Sequence, residues 1–262
     1  MSDIIINPYV FVGVGGGYDP DAQAMFDARA AVGNEPTEPY KQAISDYVEE
    51  IKAIPGFWDD IIQLVVMAGA TTINGACIAI KGNNLTPISM VNTDVNIKTG
   101  VKGNGTNKYF QTGYGFPITG TSQNDFHCYA CVTEGSSLTT RSLFGRGTIA
   151  IGSNAWILNT PGSSRANNEA ADSGGVGGTG GFGLSRASST AYTRMYNGNV
   201  STVTRNSGSP PDASLYVLAR GFGTTPQNFS NARILIWAMG PAVTLTNYAT
   251  PRANLIAALN TI

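Results

Sequence analysis

Residues 126–132 are Phe126-His127-Cys128-Tyr129-Ala130-Cys131-Val132, a short apolar and aromatic run without glycine or proline. Its length and composition predict a buried β-strand. Similar runs follow one another from about residue 60 to residue 240, separated by turns rich in Gly, Asn, Ser and Thr. The other predicted strands are Ile61–Met67, Cys77–Lys81, Ile88–Asn92, Lys108–Thr112, Ser142–Phe144, Thr148–Ile151, Trp156–Asn159, Gly181–Arg186, Tyr192–Tyr196, Val200–Arg205, Ser214–Ala219 and Arg233–Met239. Short strands at spacings of roughly 8–15 residues predict a mainly-β fold, a two-sheet antiparallel β-sandwich of the jelly-roll type.

The composition supports this fold class. The chain has 262 residues, with 32 glycines, 13 prolines and only 13% charged residues. The charged share is about half of the usual one, which argues against helical bundles and against a doubly wound α/β enzyme. A formal net charge of −1 is not typical of nucleic-acid binding, which needs a basic face.

The start of the chain lacks the basic segment and the long apolar stretch of a secretory signal. No run approaches the roughly 18 apolar residues of a membrane span; the longest candidate, Ile61–Ala70, contains Gln63. We therefore expect synthesis in a cytosol and no insertion into a membrane.

Charge divides the chain into two parts. Residues 1–60 contain eleven acids and three bases, a balance of −8, and residues 61–262 contain six acids and thirteen bases, a balance of +7. This asymmetry predicts parts with different surfaces. We assign residues 1–18 to an extended docking arm, 19–56 to a helical hairpin and 57–262 to the sandwich with a short C-terminal helix that opens at Thr250-Pro251.

Helix signals define the hairpin. Asp19 followed by Pro20 is an N-cap with proline at the first helical position, and Gly33-Asn34 ends that helix. A second helix begins at Thr37 and carries an apolar stripe, and Pro55-Gly56 ends it. The stripe consists of Tyr40, Ile44, Tyr47, Val48 and Ile51.

The arm before the hairpin is apolar and is followed by Gly13-Val14-Gly15-Gly16-Gly17, a flexible hinge. Its apolar set is too small to form a core, so we expect it to pack on another protein; pairing with an edge of its own sandwich is the alternative. The predicted docking residues are Ile4, Ile5, Ile6, Tyr9, Val10 and Phe11.

Three motifs that could carry chemistry have structural interpretations. Cys128 and Cys131 match C-x-x-C, but residues three apart on a strand point to opposite faces and do not grip one metal ion. The glycines at 13–17 are not followed by a parallel βαβ unit, so no dinucleotide is expected. His127 is the only histidine, and we expect it to be structural. The sequence thus predicts no cofactor and no metal.

Glycoside cleavage needs two carboxylates placed across the scissile bond. The β-rich part offers few acids, and Glu169 and Asp172, three residues apart, are expected to be solvated loop residues.

Sugar binding needs fewer special residues than sugar cleavage, namely an aromatic face for the ring and amides or hydroxyls for its hydroxyl groups. Core aromatics and ordinary turn asparagines remain the competing interpretation. The candidate ligand-binding residues are Trp156, Tyr192, Tyr196, Asn154, Asn197 and Asn199.

Four stretches together resemble a family of bacteriophage virion proteins with a concanavalin A-like lectin/glucanase sandwich. They are Ile6–Phe11, Phe57–Gly69, Gly100–Gly113 and Phe229–Gly240. The resemblance implies that the third stretch opens the sandwich and that the last one closes it. The Glu-x-Asp-x-x-Glu strand of laminarinase-type relatives is absent, as is the calcium loop of legume lectins, which weakens the case for an enzyme and for a metal.

The resemblance implies a virion structural protein, a fibre or spike subunit, assembled in the host cytoplasm and attached by its N-terminal arm. Its partners would be other virion proteins (capsid, portal or tail), further copies of itself in a homo-oligomer, and host-surface glycans. Two alternatives remain open. One is a polysaccharide depolymerase, a glycoside hydrolase or a lyase, on the same fold, and the other is a purely structural capsid or tail decoration protein without a ligand.

Overall fold

The computed structural model describes residues 17–115, 118–137, 141–147, 155–160, 163–168, 172–173, 178–210, 212–223 and 225–262. The helices are α1 (Pro20–Ala31), α2 (Glu38–Lys52), α3 (Ile73–Ala76) and α4 (Ala249–Thr261), with 3-10 turns at Asn92–Asp94 and Leu245–Tyr248. The strands are β1 (Gln63–Val66), β2 (Thr86–Ile88), β3 (Val95–Asn96), β4 (Gly100–Lys102), β5 (Tyr109–Gln111), β6 (Phe126–Glu134), β7 (Arg141–Gly147), β8 (Ala155–Thr160), β9 (Ser163–Asn168), β10 (Asp172–Ser173), β11 (Gly180–Arg186), β12 (Ala191–Tyr196), β13 (Asn199–Thr204), β14 (Tyr216–Val217), β15 (Arg220–Phe222), β16 (Thr225–Gln227) and β17 (Arg233–Gly240).

The strands form two sheets, which confirms the predicted mainly-β sandwich. The first sheet has the order β13-β12-β11-β6-β17-β4-β3. β6 pairs along one edge of β17, while β4 and then β1 pair along its other edge. The second sheet has the order β10-β9-β8-β7-β14-β5-β2, and β15 also joins β7 and β16. The β15–β7 contact is parallel; every other strand pair between the described residues is antiparallel.

The main core lies between the two sheets. Trp237 of β17 is fully buried there and packs on Phe144 of β7, with ring centroids 5.4 Å apart. Its indole Nε1 donates to Oε1 of Gln63 at 2.8 Å, and Nε2 of Gln63 donates to the carbonyls of Asn83 and Thr112. The polar groups of Trp237 and Gln63 are thus hydrogen-bonded in the interior, as buried polar groups usually are.

A helical layer covers the outer face of the first sheet. The buried side chains of α1, α2 and α4 share a second core with residues of β1, β6 and β17 that point away from the sandwich interior. The predicted stripe of α2 (Tyr40, Ile44, Tyr47, Val48 and Ile51) belongs to this core. The central strands of the first sheet are therefore buried on both faces, which explains their nearly continuous apolar sequences.

The predicted helix signals are confirmed. The Asp19 carboxylate accepts hydrogen bonds from the backbone N–H groups of Asp21 and Ala22, and Pro20 is the first residue of α1. Thr37 is the N-cap of α2. The arm residues 1–16, including the predicted docking set, lie outside the described residues. Tyr18, assigned to the arm from sequence, packs edge-on against Phe26 of α1.

Buried Arg29 joins the helical layer to the sheet. Its guanidinium donates to the carbonyl oxygens of Ala68 at 2.7 Å and Val66 at 2.5 Å, just beyond and at the end of β1. Burial lowers the pKa of Arg29 to about 10, so the group stays charged at neutral pH. Hydrogen bonds to a buried cation of this kind fix the position of α1 on the sheet.

Two strand predictions are wrong in detail. Cys77–Lys81 is not a strand, because the segment before it closes a short helix, α3, in which the Thr72 hydroxyl accepts from the N–H of Gly75. Ile88–Asn92 contributes only its first residue to β2. The predicted strand Thr148–Ile151 lies outside the described residues.

None of the helices formed by the described residues has the length and the apolar character needed to cross a bilayer.

Candidate functional site

The structure does not present the predicted tyrosines as a sugar platform. Tyr192 is buried in the sandwich core, and its hydroxyl lies 2.8 Å from Oγ of Ser164. Tyr196 is buried in the same core and packs edge-on against Phe182. Because Tyr192 and Tyr196 occupy alternate positions of β12 that face inward, neither ring face is available to a ligand.

The other predicted ligand-binding residues have different positions. Trp156 lies on β8, and its side chain falls outside the described residues, as does the whole of Asn154. Asn197 and Gly198 form the two-residue turn between β12 and β13, with φ of 56° and 82°. Positive φ at both central residues is the pattern of a type I′ hairpin turn. Asn199 follows as the exposed first residue of β13.

His127 and the cysteines are structural. Both ring nitrogens of His127 are occupied, Nδ1 by the carbonyl of Pro241 at 2.5 Å and Nε2 by the Tyr248 hydroxyl at 2.8 Å. Cys128 belongs to the sandwich core and Cys131 to the helix-side core, which confirms that they point to opposite faces. Burial raises the pKa of the Cys131 thiol to about 12. The described residues contain no group of metal-ligating side chains.

Several carboxylates of the sandwich are engaged in structural contacts. Asp94 pairs with Lys108 at 2.6 Å, and Glu134 contacts Lys102 and Arg233. Asp125 accepts a hydrogen bond from the backbone N–H of Ala242 at 2.7 Å. Glu169 and the side chain of Asp172 lie outside the described residues.

A groove of about 430 Å³ opens on the helix side of β11, β12 and β13. We call it the hydroxyl groove. Its lining is uncharged. Six of the thirteen lining residues are serine or threonine, six are alanine, valine or leucine, and the remaining one is Tyr192. The lining residues are Ser185, Ala187, Ser188, Ala191, Tyr192, Thr193, Val200, Thr202, Ala242, Val243, Thr244, Leu245 and Thr246.

Strand register builds the floor of the hydroxyl groove. Ser185 of β11 lies opposite Thr193 of β12, which lies opposite Thr202 of β13, so three hydroxyl side chains form a row across three strands. The Ser185 hydroxyl donates to the carbonyl of Val243 at 2.7 Å and accepts from its N–H at 3.0 Å. These bonds fix the segment that forms the opposite wall.

A second groove, of about 550 Å³, lies between α4 and the strands β6 and β11. We call it the arginine groove, because Arg252 of α4 is the charged residue among those that line it. Its lining residues are Thr99, Val132, Thr133, Thr179, Gly180, Arg252, Ala253, Ile256, Ala257 and Asn260. Neither groove is evident from the sequence, although the alternation of Thr193 and Thr202 with inward-facing residues is a usable signal.

Comparison with known proteins gives only distant similarity. No family model matches the chain, and no curated protein matches it. A mutant of Trypanosoma rangeli sialidase displaying trans-sialidase activity aligns over 82% of this chain and 39% of its own, with 13% identity and a TM-score of 0.42. The CBM40 of a Ruminococcus gnavus IT-sialidase aligns over 60% of this chain and 95% of its own, with 13% identity and a TM-score of 0.38.

The strand order and register therefore define the class of this protein. It is a two-sheet β-sandwich of the jelly-roll type, with a helical layer on the first sheet and two open grooves on the helix side.

Proposed function

We propose that this chain is a non-catalytic structural subunit of a bacteriophage particle, a fibre, spike or decoration subunit, that binds host-surface glycans in the hydroxyl groove. The particle is assembled in the host cytoplasm, and residues 1–18 attach the subunit to other virion proteins. The resemblance of four sequence stretches to phage virion proteins supports the location, and the hydroxyl groove supports the ligand.

The uncharged, hydroxyl-rich lining of the groove is the observation that carries the glycan proposal. A threonine or serine hydroxyl can donate one hydrogen bond and accept two, which suits the mixed donors and acceptors of a sugar. Within the row, Ser185 is already bonded to Val243, and the Thr193 hydroxyl donates to the Ser185 carbonyl at 3.2 Å, so Thr193 offers its oxygen as an acceptor. Val200, 40% exposed beside the row of hydroxyls, supplies apolar surface for the C–H groups of a sugar ring. A charged ligand would find no counter-ion in this lining.

An open groove of this kind is expected to bind weakly. Sugar hydroxyls lose hydrogen bonds to water when they form hydrogen bonds to the protein, so each neutral hydrogen bond contributes only about 1 kcal/mol net. Dissociation constants near the millimolar range follow for one site. Several copies on one particle would raise the apparent affinity by linking the binding events, which is why a homo-oligomer suits this function.

The depolymerase alternative has less support. Most glycoside hydrolases use two carboxylates across the scissile bond, and neither groove is lined by a carboxylate among the described residues. We therefore propose binding without cleavage, and without a bound metal.

Loss of two groove hydroxyls should weaken glycan binding strongly. After a glycan array has identified a ligand, the double variant Thr193→Val/Thr202→Val is expected to bind it about 30-fold more weakly, the equivalent of two neutral hydrogen bonds. Thr225→Val is the matched control, because Thr225 is an exposed threonine on β16 of the other sheet. Titration calorimetry measures both, with and without a calcium chelator.

The outcomes separate the three functions. Binding that survives the chelator and falls only in the double variant supports the proposal. Absence of binding to every glycan on the array favours a purely structural decoration protein. Release of reducing ends during the titration, abolished by Glu169→Gln or Asp172→Asn, would instead identify a depolymerase.

Removal of residues 1–12 tests the attachment to the particle. We expect the shortened chain to keep its melting temperature nearly unchanged and to be missing from purified particles. Burial of five or six apolar side chains of the arm would contribute on the order of 10 kcal/mol before ordering costs, which is enough for stable docking. Normal incorporation of the shortened chain, or its failure to fold, would show that residues 1–12 are not a docking arm.

A further inference from the structure

The arginine groove is built around a guanidinium that the surrounding backbone accommodates. Arg252 crosses the start of β11, where a Cβ added to Gly181 would lie 2.8 Å from its Nη1. At the turn between β12 and β13, a Cβ on Gly198 would lie 3.7 Å from Nη1 and 3.8 Å from Nη2. Gly181 thus leaves room for the guanidinium between α4 and the strands, while a Cβ on Gly198 would lie at ordinary van der Waals distance from it.

Arg252 has no carboxylate partner within 4 Å among the described residues. On the neighbouring helix α2, Oε1 of Glu50 accepts a hydrogen bond from Asn254 of α4 at 2.8 Å. The first turn of α4 contains no acidic residue. The positive charge of Arg252 is therefore not balanced by an ion pair in the described part of the chain.

The lining around Arg252 suits a small organic anion. A guanidinium binds a carboxylate through two parallel N–H···O bonds, which makes arginine the preferred residue for this group. Thr99, Thr133, Thr179 and Asn260 add hydroxyl and amide groups, while Val132 and Ile256 provide apolar surface. The Thr133 hydroxyl donates to the carbonyl of Thr99 at 2.6 Å, so its oxygen is left as an acceptor. The groove volume lies in the range of small-molecule sites.

We propose that the arginine groove binds an acidic sugar, with its carboxylate on the Arg252 guanidinium and its hydroxyls on the threonines and Asn260. This inference rests on the proposed glycan-binding function and names a substrate class for it, glycans that contain carboxylate-bearing residues. The two grooves lie on the same side of the first sheet, so one face of the molecule presents a neutral site and an acidic-sugar site.

Acid and ester pairs provide a direct test. Glucuronate, galacturonate and N-acetylneuraminate, each as its methyl glycoside, are titrated beside the corresponding methyl esters and a sulfated monosaccharide. At least one acid is expected to bind about 10-fold or more tightly than its ester, because charge-assisted hydrogen bonds are worth about 10-fold or more in affinity. Tighter binding of the sulfated sugar than of every acid would overturn the assignment to a carboxylate.

Two kinds of variant assign the binding to Arg252. Arg252→Gln is expected to weaken binding of the acid about 10-fold or more, while Arg194→Gln, which removes the same charge from β12, leaves it within about 2-fold. Ala257→Glu places a carboxylate in the groove at an exposed position of α4 and is expected to weaken binding similarly, whereas Ala257→Gln is the uncharged control. The Ala257 pair keeps the test decisive if Arg252→Gln does not fold.

The result also separates this inference from the proposed function. If neutral glycans bind and respond to Thr193→Val/Thr202→Val, but no acid is preferred over its ester, only the acidic-sugar site is wrong. If the acid binds equally well to Arg252→Gln and to Ala257→Glu, the site lies elsewhere. If neither neutral nor acidic glycans bind, both proposals fail.

Discussion

Alanine in place of Gly100 should prevent the native sandwich from forming, or lower its free energy of unfolding by more than about 4 kcal/mol. Gly100 has φ of +90°, and a Cβ added there would lie 2.0 Å from the carbonyl oxygen of Ile234. Both obstacles are backbone features that a rotamer change cannot relieve. The strand β4 would have to leave the edge of β17, where Val101 lies opposite Ile234.

Four glycines separate the two causes of this cost. A Cβ added to Gly103 would lie equally close to a backbone atom, 2.1 Å from the carbonyl oxygen of Ser230, but Gly103 has no positive φ. Gly223 has φ of +61°, and a Cβ there would meet no atom within 4 Å. Gly115 has neither a close backbone neighbour nor a positive φ. Alanine at Gly115 should change stability by less than about 0.5 kcal/mol, and at Gly223 cost about 1 kcal/mol or somewhat more. Alanine at Gly103 should approach the Gly100 effect.

Urea unfolding followed by circular dichroism measures all four variants. If alanine at Gly100 costs no more than alanine at Gly223, the close approach of β4 to β17 is not a requirement of the fold. The same pair of segments carries much of the sequence resemblance to phage virion proteins. Gly100–Gly113 and Phe229–Gly240 are neighbours in the structure, because β4 pairs with β17.

Much of the fold could be predicted because local chemistry determined it. Asp19 and Pro20 define the start of α1 whatever surrounds them, and the run from Phe126 to Val132 is apolar enough to be a strand in any sandwich. The short helix α3 was missed because it depends on tertiary contacts. Asn34, from the loop between α1 and α2, accepts hydrogen bonds from the backbone N–H groups of Thr71 and Thr72 and holds the chain there.

The site was harder to predict than the fold. Alternation places Tyr192 and Tyr196 on one face of β12 and Thr193 on the other, but it does not say which face meets the core. The sequence favours Tyr192 and Tyr196 as ligand-binding residues, whereas the structure buries both tyrosines and leaves the threonines on the groove side. No local sequence pattern marks Arg252, because its relevance depends on the lack of a nearby carboxylate in the described part of the fold.

Acid should destabilise the protein through His127 before it affects most carboxylates. Burial lowers the pKa of His127 to about 4, against 6.5 for an exposed histidine. Since the carbonyl of Pro241 can only accept, Nδ1 carries the proton of the neutral ring and Nε2 accepts from the Tyr248 hydroxyl. Tyr248 in turn stacks on Tyr129, with ring centroids 4.0 Å apart. The ring is thus neutral in the helix-side core. The negative charge of Asp125 favours the protonated ring and therefore opposes the lowering of the His127 pKa.

The sign of the effect follows from the lowered pKa. As the pH falls from about 6.5 to about 4, the unfolded chain binds a proton at His127 that the folded chain does not bind, so the free energy of unfolding decreases. The decrease is about 1.4 kcal/mol per pH unit and about 3 kcal/mol over the whole window. Below a pH of about 4 the folded protein is protonated as well, and this contribution stops changing.

His127→Gln should remove this pH dependence. The variant is expected to be less stable at pH 7, because the ring's contacts with Tyr248 are lost, but its stability should stay nearly level between pH 6.5 and pH 4.5. The carboxylate of Glu134, whose pKa its contact with Lys102 lowers, loses its stabilising charge only as the pH falls further. Urea unfolding of both proteins at pH 7, 6, 5 and 4.5 therefore isolates the histidine. Parallel curves for the two proteins would mean that His127 is protonated in the folded state and that the helix-side core accommodates its charge.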